Sequence, residues 1–318
     1  MGRMLKASPE SIGEAAEILR RGGIVAFPTE TVYGLGANAL NREAVARIYA
    51  IKQRPRTSPL IVHVNSVEMA RGLSRDWPEA AQTLARAYWP GPLTLVVNKN
   101  DLVPDELTAG LGTVGLRMPA HPVALALIAA AGVPLAAPSA NRFTELSPVR
   151  AGQVQESLGE GVELILDGGV AEVGIESTVV SVAGPELVLL RPGRIGRGEI
   201  EALVGRLREA EHTGQAGQAH AAPGMHARHY APRKPLYVWR QGEEAPAPGR
   251  GLLLSRGGDL RGAESRSMPA AAAAYASRLY DELHEAGKAP GDWIAVEAPP
   301  LGEEWAAVWD RLRRATAR

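Results

Sequence analysis

The chain has 318 residues, 45% of them hydrophobic and 22% charged, which describes a soluble globular protein long enough for two cores. Its 35 basic and 35 acidic side chains cancel, so no net field recruits nucleic acid or an anionic membrane. Without cysteine it can hold no disulfide, thiolate nucleophile, Cys-ligated zinc or iron–sulfur cluster.

The opening residues MGRMLKASPE lack the apolar run of a signal peptide. The longest apolar stretch, Val123 to Pro138, is broken by Gly132 and Pro134 and is too short for a bilayer, so a cytoplasmic protein with no membrane contact is expected. Ser8-Pro9 starts a helix with the apolar face Ile12, Ala15, Ala16 and Leu19, and Gly22-Gly23 ends it. Ile24 to Phe27 is a strand that enters the loop PTETVYGLGAN. Asn41 caps a helix striped by Val45, Ile48 and Tyr49, which closes at Lys52 before Pro55. Strands are expected at 60–64, 93–97, 114–118, 135–137, 164–166, 178–182 and 187–190, with helices at 78–88, 122–131 and 199–209. Near residue 210 the texture changes to Gly, Ala, His and Pro without an apolar period. Beyond it, strands at 236–239, 252–255 and 293–296 alternate with helices at 269–286 and 303–314. The expected organisation is an α/β domain with a mixed sheet over 1–208, a linker over 209–232 and a small α/β domain over 233–318.

There is no Walker-type phosphate loop. Gly34-Leu-Gly36-Ala-Asn-Ala39 mimics a dinucleotide fingerprint, but Lys52, Arg54 and Arg56 stand where the ribose-binding acid is required. Lys52-Gln-Arg54-Pro-Arg56-Thr-Ser58-Pro places three cations and a hydroxyl between a helix end and a strand, held by two prolines. That pattern suits a polyanion, or a solvated helix terminus stabilised by the macrodipole. His63 follows on the strand face opposite Leu60, Val62 and Val64. Ala137-Pro-Ser139-Ala-Asn141 ends a buried strand, where α/β sheets place ligands, and Ser147-Pro148 comes shortly after. Thr113-Val-Gly-Leu-Arg117-Met-Pro119, the run Gly174-Ile-Glu176-Ser177-Thr178 and Arg191-Pro-Gly193 add hydroxyls and two more proline-braced arginines. No nucleophile–histidine–acid set emerges, and the His226/His229 pair lacks an acidic partner, so no dedicated metal site is expected. These residues describe an anion-binding α/β enzyme of phosphate chemistry.

Taken together and in this order, FPTETVYGLG, KQRPRTSPLIVHV, TVGLRMP, APSAN, GIESTVV, LRPG and PGMHARHYAP resemble the Sua5/YrdC/YwlC family of threonylcarbamoyl-adenylate synthases, specifically its two-domain Sua5 type. The resemblance implies a YrdC-like twisted mixed-sheet domain followed by a small Rossmann-like Sua5 domain. It implies that L-threonine, bicarbonate and ATP, brought with Mg2+, give threonylcarbamoyl-AMP and pyrophosphate. The product would pass to a tRNA threonylcarbamoyltransferase that modifies adenosine 37. Some relatives carry a basic concave face, so a weak RNA contact also belongs among the implied partners. Motif by motif, Thr31, His63, Arg117, Ala137 and Ser177 correspond to the threonine site. Lys52, Arg54, Ser58, Thr113, Ser139, Asn141, Ser147, Arg191 and Tyr230 correspond to the ATP site, with Lys52 and Arg54 as the catalytic cations. The linker, with Met225, His226, Arg228, His229 and Tyr230, would close over the pocket. Arg142-Phe-Thr-Glu145-Leu146 departs from the small loop usual after Asn141 and loosens the placement of Ser147.

Overall fold

The computed structural model describes residues 2–210 and 229–317. The first unit opens with β1 (Arg3–Lys6), α1 (Pro9–Arg20), β2 (Val25–Phe27), β3 (Gly34–Asn38), α2 (Arg42–Lys52) and β4 (Ile61–His63). It continues through α3 (Val67–Arg71), α4 (Glu79–Tyr88), β5 (Leu93–Asn98), α5 (Asp105–Thr108), β6 (Thr113–Arg117), α6 (Pro122–Ala131) and β7 (Leu135–Ala136). α7 (Ala151–Leu158), β8 (Leu164–Asp167), β9 (Thr178–Ser181), β10 (Val188–Arg191), α8 (Arg197–Val204) and β11 (Arg208–Glu209) follow. The second unit contains β12 (Leu236–Trp239), β13 (Gly251–Ser255), β14 (Ala263–Ser267), α9 (Ala272–Lys288), β15 (Trp293–Glu297) and α10 (Ala306–Thr316).

Local chemistry sets the helix ends. Ser8 caps α1 through the Ser11 amide at 3.2 Å, with Pro9 at the first helical position, and Asn41 caps α2 through the Ala44 amide at 3.0 Å. Gln53, at φ 54, ends α2 and turns the chain so that Lys52 and Arg54 point inward. The helix expected over 199–209 stops at Val204, because Gly205 takes a left-handed turn (φ 81), and Arg208–Glu209 then pairs with β10. Part of the loop PTETVYGLGAN is β3, antiparallel to β2, so the fingerprint glycines lie in a strand. Gly36 is required there because a Cβ would come within 2.7 Å of the Phe27 ring.

Eleven strands form one mixed sheet, ordered β1-β8-β2-β3-β7-β4-β6-β5-β9-β10-β11, and four parallel strands form a second, ordered β12-β15-β13-β14. The large sheet sorts its side chains with a period of two. Ala26, Val62, Leu95, Leu116, Ala136, Ile165 and Val180 enter one core under α2, α4, α7 and α8. On the opposite face, Val25, Phe27, Leu135, Leu164 and Leu166 pack beneath α1 and α6. Those two helices stop short of β4, β6, β5 and β9. That uncovered stretch of sheet carries His63, Gly115, Arg117 and Thr94 instead of a continuous apolar layer.

The second unit closes over this side. Its core is continuous with Val32, Leu146, Val149, Ala171 and Ile175 of the first unit. Arg150 grips Asp281 with two bonds of 2.8 Å, and Lys288 meets Glu156 at 2.8 Å. The small unit therefore shares its apolar core with the large one. Among the described residues no helix is long and apolar enough to cross a membrane.

Candidate active site

The uncovered sheet face forms the floor of a recess lined by Thr29, Thr31, Arg54, His63, Arg117, Ala137, Ser139, Glu176, Ser177, Arg191, His229 and Tyr230, among others. Segments far apart in sequence thus converge, each from a strand end or an adjoining loop. Arg117 ends β6, His63 ends β4 and Arg191 ends β10, so parallel and antiparallel neighbours aim three basic side chains at one hollow.

On one flank Arg117 approaches Glu30 at 2.7 Å, and its Nε donates to the Gly91 carbonyl at 3.3 Å. The Arg117–Glu30 contact lacks hydrogen-bond alignment, so both groups keep unused hydrogen-bonding capacity. His63 stands edge-on to Phe27, and its Nδ1 has no partner. Thr31 bonds Thr29 at 2.9 Å, Ser177 bonds Thr94 at 2.7 Å, and Ala137 contributes a small methyl wall beside Gly34.

On the other flank Arg54 is buried, donates to the carbonyls of Ser58 and Pro59 and to the Ser58 hydroxyl, and lies 5.9 Å from the Phe143 ring. Burial pulls Arg54 down to about 10, which still leaves it charged at neutral pH. Arg191 donates to the Ser177 carbonyl at 3.0 Å and hydroxyl at 3.1 Å. Lys52 is not a lining residue. Its ammonium is buried behind the wall and donates to the carbonyls of Ser139 and Asn141, anchoring the loop that presents them. Asn141 braces the same loop through the carbonyls of Arg142 and Glu145, both at 2.9 Å. Ser58 and Ser147 are fully buried and act on lining residues, Ser147 by donating to Glu176. Thr113 stands away from the recess wall, four residues before Arg117 on the same face of β6 and opposite Asn98.

Of the expected lid, Met225, His226 and Arg228 lie outside the described residues. His229 and Tyr230 are buried in the recess, with Tyr230 at the left-handed φ of 61, an uncommon conformation for a bulky residue. His229 meets Phe143 edge-on, so the residue that departs from the usual loop contacts the strap made by His229 and Tyr230. Three participants escaped the sequence reading. Glu30 pairs Arg117, Glu176 lines the recess, and Arg311 of α10 binds Glu176 at 2.8 Å. Glu30 and Glu176 were within reach, since each lies inside a quoted motif. Arg311 carried no signal, because its partner is 135 residues away.

Burial, then Arg117, push His63 well below its ordinary value, so the folded chain keeps it neutral. The sign is that of a depressed base. Below about pH 6.5 the unfolded chain binds the extra proton, so stability is intact above that pH and lost as pH falls through it. His63→Gln is expected to flatten the stability–pH profile between about pH 6.5 and 5 by up to ~1.4 kcal/mol per pH unit, read from urea midpoints. An unchanged slope would mean that His63 is not buried neutral. His121 and His284, also lowered by burial, account for a residual slope.

Fold and recess together define a two-unit α/β protein with a recess walled by arginines. The Sua5/YciO/YrdC family model, described as telomere recombination, matches residues 17–193, and one described as threonylcarbamoyl-AMP synthase, C-terminal domain, matches residues 195–317. The chain belongs to the Sua5/YciO/YrdC family. A Bacillus subtilis (strain 168) protein named threonylcarbamoyl-AMP synthase is 39% identical over 98% of this chain and 94% of its own. The crystal structure of P. abyssi Sua5 complexed with L-threonine superposes with a TM-score of 0.90 at 38% identity, covering 99% of this chain and 97% of that one. E. coli YciO matches 61% of this chain with 96% of its own, at a TM-score of 0.53 and 26% identity.

Proposed function

We propose that the chain makes threonylcarbamoyl-AMP from L-threonine, bicarbonate and ATP, a nucleotidyl transfer in the cytoplasm that feeds tRNA t6A37 formation. The observation that carries this reading is the two-flanked recess, which brings Arg117 and His63 together with Arg54 and Arg191 around one sheet face. Its family relatives named for the same reaction, and the Sua5 structure with L-threonine, support it.

In this reading Arg117 meets the amino-acid carboxylate, while Thr31, Ser177 and neutral His63 receive its remaining polar groups. The amine adds to CO2, or to bicarbonate with loss of water, and gives up a proton to become a carbamate. A carbamate oxygen then attacks the α-phosphorus, the bond to the β-phosphate breaks, and pyrophosphate leaves with that electron pair. Arg54 and Arg191 balance the phosphate charge, and the loop held by Lys52 presents Ser139 and Asn141 to the nucleotide. The buried strap at Tyr230 shelters the labile carbamate from water. Mg2+ enters with the ATP phosphates as part of the substrate. The tRNA threonylcarbamoyltransferase consumes the product, and any RNA contact is a weak one.

The methyl wall at Ala137 predicts the choice of amino acid. One buried methyl is worth about 1–3 kcal/mol, so threonine should exceed serine roughly 10–200-fold in kcat/KM. Equal rates would remove Ala137 from specificity. The decisive experiment is threonine-dependent pyrophosphate release with mass spectrometry of the adenylate. Pyrophosphate release that ignores threonine would overturn the reading, and salt-sensitive RNA binding without turnover would replace it.

A further inference from the structure

Glu176 is an anion in a recess otherwise built for anions. Burial alone would raise its pKa, but Arg311, then Arg191 and the Ser147 bond, hold it below the usual carboxylate value. Its oxygens accept from Ser147, from the Tyr280 hydroxyl at 3.0 Å and from Arg311 Nε at 2.8 Å. Arg311 is 1% exposed and stands behind Glu176, outside the lining of the recess. It donates to the Glu176 carbonyl at 3.2 Å and to the Pro192 carbonyl at 2.8 Å, and its guanidinium sits 5.5 Å from the Tyr230 ring. Asp310 braces it at 2.8 Å. One side chain of the second unit therefore touches the segment before Ser177, the segment after Arg191 and the strap.

We infer that Arg311 is a positioning residue for the nucleotide half of the recess: it neutralises Glu176 and holds the Arg191–Pro192 turn, so that a triphosphate meets cations and no bare carboxylate. This rests on reading that half as the ATP site. Without Arg311 the same carboxylate, desolvated and beside the phosphates, repels the ligand it now helps to shape.

The test measures KM for ATP and for threonine in three full-length variants. Arg311→Met is expected to raise ATP KM about 10–100-fold while threonine KM stays within about twofold. Arg311→Lys, which keeps the charge, should lie between it and the wild type. In Glu176→Gln/Arg311→Met the carboxylate is gone, and ATP KM should return to within about threefold of the wild type. A role in folding alone predicts no such recovery, so a double variant as poor as Arg311→Met overturns the inference. So does an unchanged ATP KM, or an equal rise in both constants. If Arg311→Met is insoluble, the double variant decides by itself: near-normal ATP KM supports the inference, and a tenfold rise overturns it. If the wild-type chain makes no adenylate, the functional reading has failed, and ATP dissociation constants of the same variants, measured by calorimetry, judge Arg311 separately.

Discussion

Lys52→Ala is expected to lower kcat by on the order of 10²-fold or more and to lower the melting temperature as well. The sequence left two readings of this cationic cluster, a polyanion site and a solvated helix end, and under the second the loss of one charge costs under about 1 kcal/mol and leaves activity alone. The structure gives Lys52 neither a solvated position nor a place in the lining. The ammonium is 1% exposed and is the shared donor to the carbonyls of Ser139 and Asn141. The Lys52 carbonyl in turn accepts from the Phe143 amide at 2.8 Å, so both ends of this residue tie α2 to the loop after β7. Removing the side chain strands two buried acceptors, at about 1–3 kcal/mol each. It also frees a loop whose displacement by about 1 Å is enough for a 10²-fold loss. Steady-state kinetics with a thermal melt checks both halves. A fully active Lys52→Ala enzyme would falsify the role given to this anchor.

The fold was legible where one face of an element is apolar and the other is not. Ile12, Ala15, Ala16 and Leu19 mark α1, and the Val-rich runs mark β5 and β9, because their burial is set by local periodicity. β1 and β14 were not legible. Both are edge strands, and RMLK and AESRS are mostly exposed, so nothing alternates. β3 was hidden because its glycines exist to let the Phe27 ring approach, which reads as loop chemistry in sequence. The recess was legible wherever proline fixes a cation, as at Arg54, Arg117 and Arg191, since a braced charge is one the fold must aim. Which cation faces the hollow and which stands behind it was not legible. Lys52 and Arg54 are two residues apart, yet one anchors a loop and the other lines the wall, a distinction made by the left-handed turn at Gln53. Glu176 and Arg311 show the same limit across the two units, where a charge is explained only by a helix that arrives at the end of the chain.

Arg117→Ala is expected to raise KM for threonine roughly 30-fold or more while ATP KM stays within about threefold. Truncating one partner of a buried charge pair costs about 2–5 kcal/mol, and a substrate carboxylate facing this guanidinium would lose that partner entirely. Glu30 complicates the experiment. It is 5% exposed with Arg117 as its ion-pair partner, so Arg117→Ala leaves a buried carboxylate alone and costs about 3–5 kcal/mol of stability. That loss is general and would not by itself separate the two Michaelis constants. Two further variants isolate the binding effect. Arg117→Lys keeps the charge near Glu30 but surrenders the planar fork, so it should fold nearly normally and still bind threonine poorly. Glu30→Gln relieves the pair without touching the guanidinium, so threonine KM should move by less than about threefold while the stability of Arg117→Ala/Glu30→Gln recovers. The ordering Arg117→Ala worst, Arg117→Lys intermediate and Glu30→Gln near normal belongs to a carboxylate receptor. A comparable rise in the ATP and threonine constants in Arg117→Lys would mean that the two flanks of the recess are divided wrongly, with Arg117 serving the nucleotide as much as the amino acid.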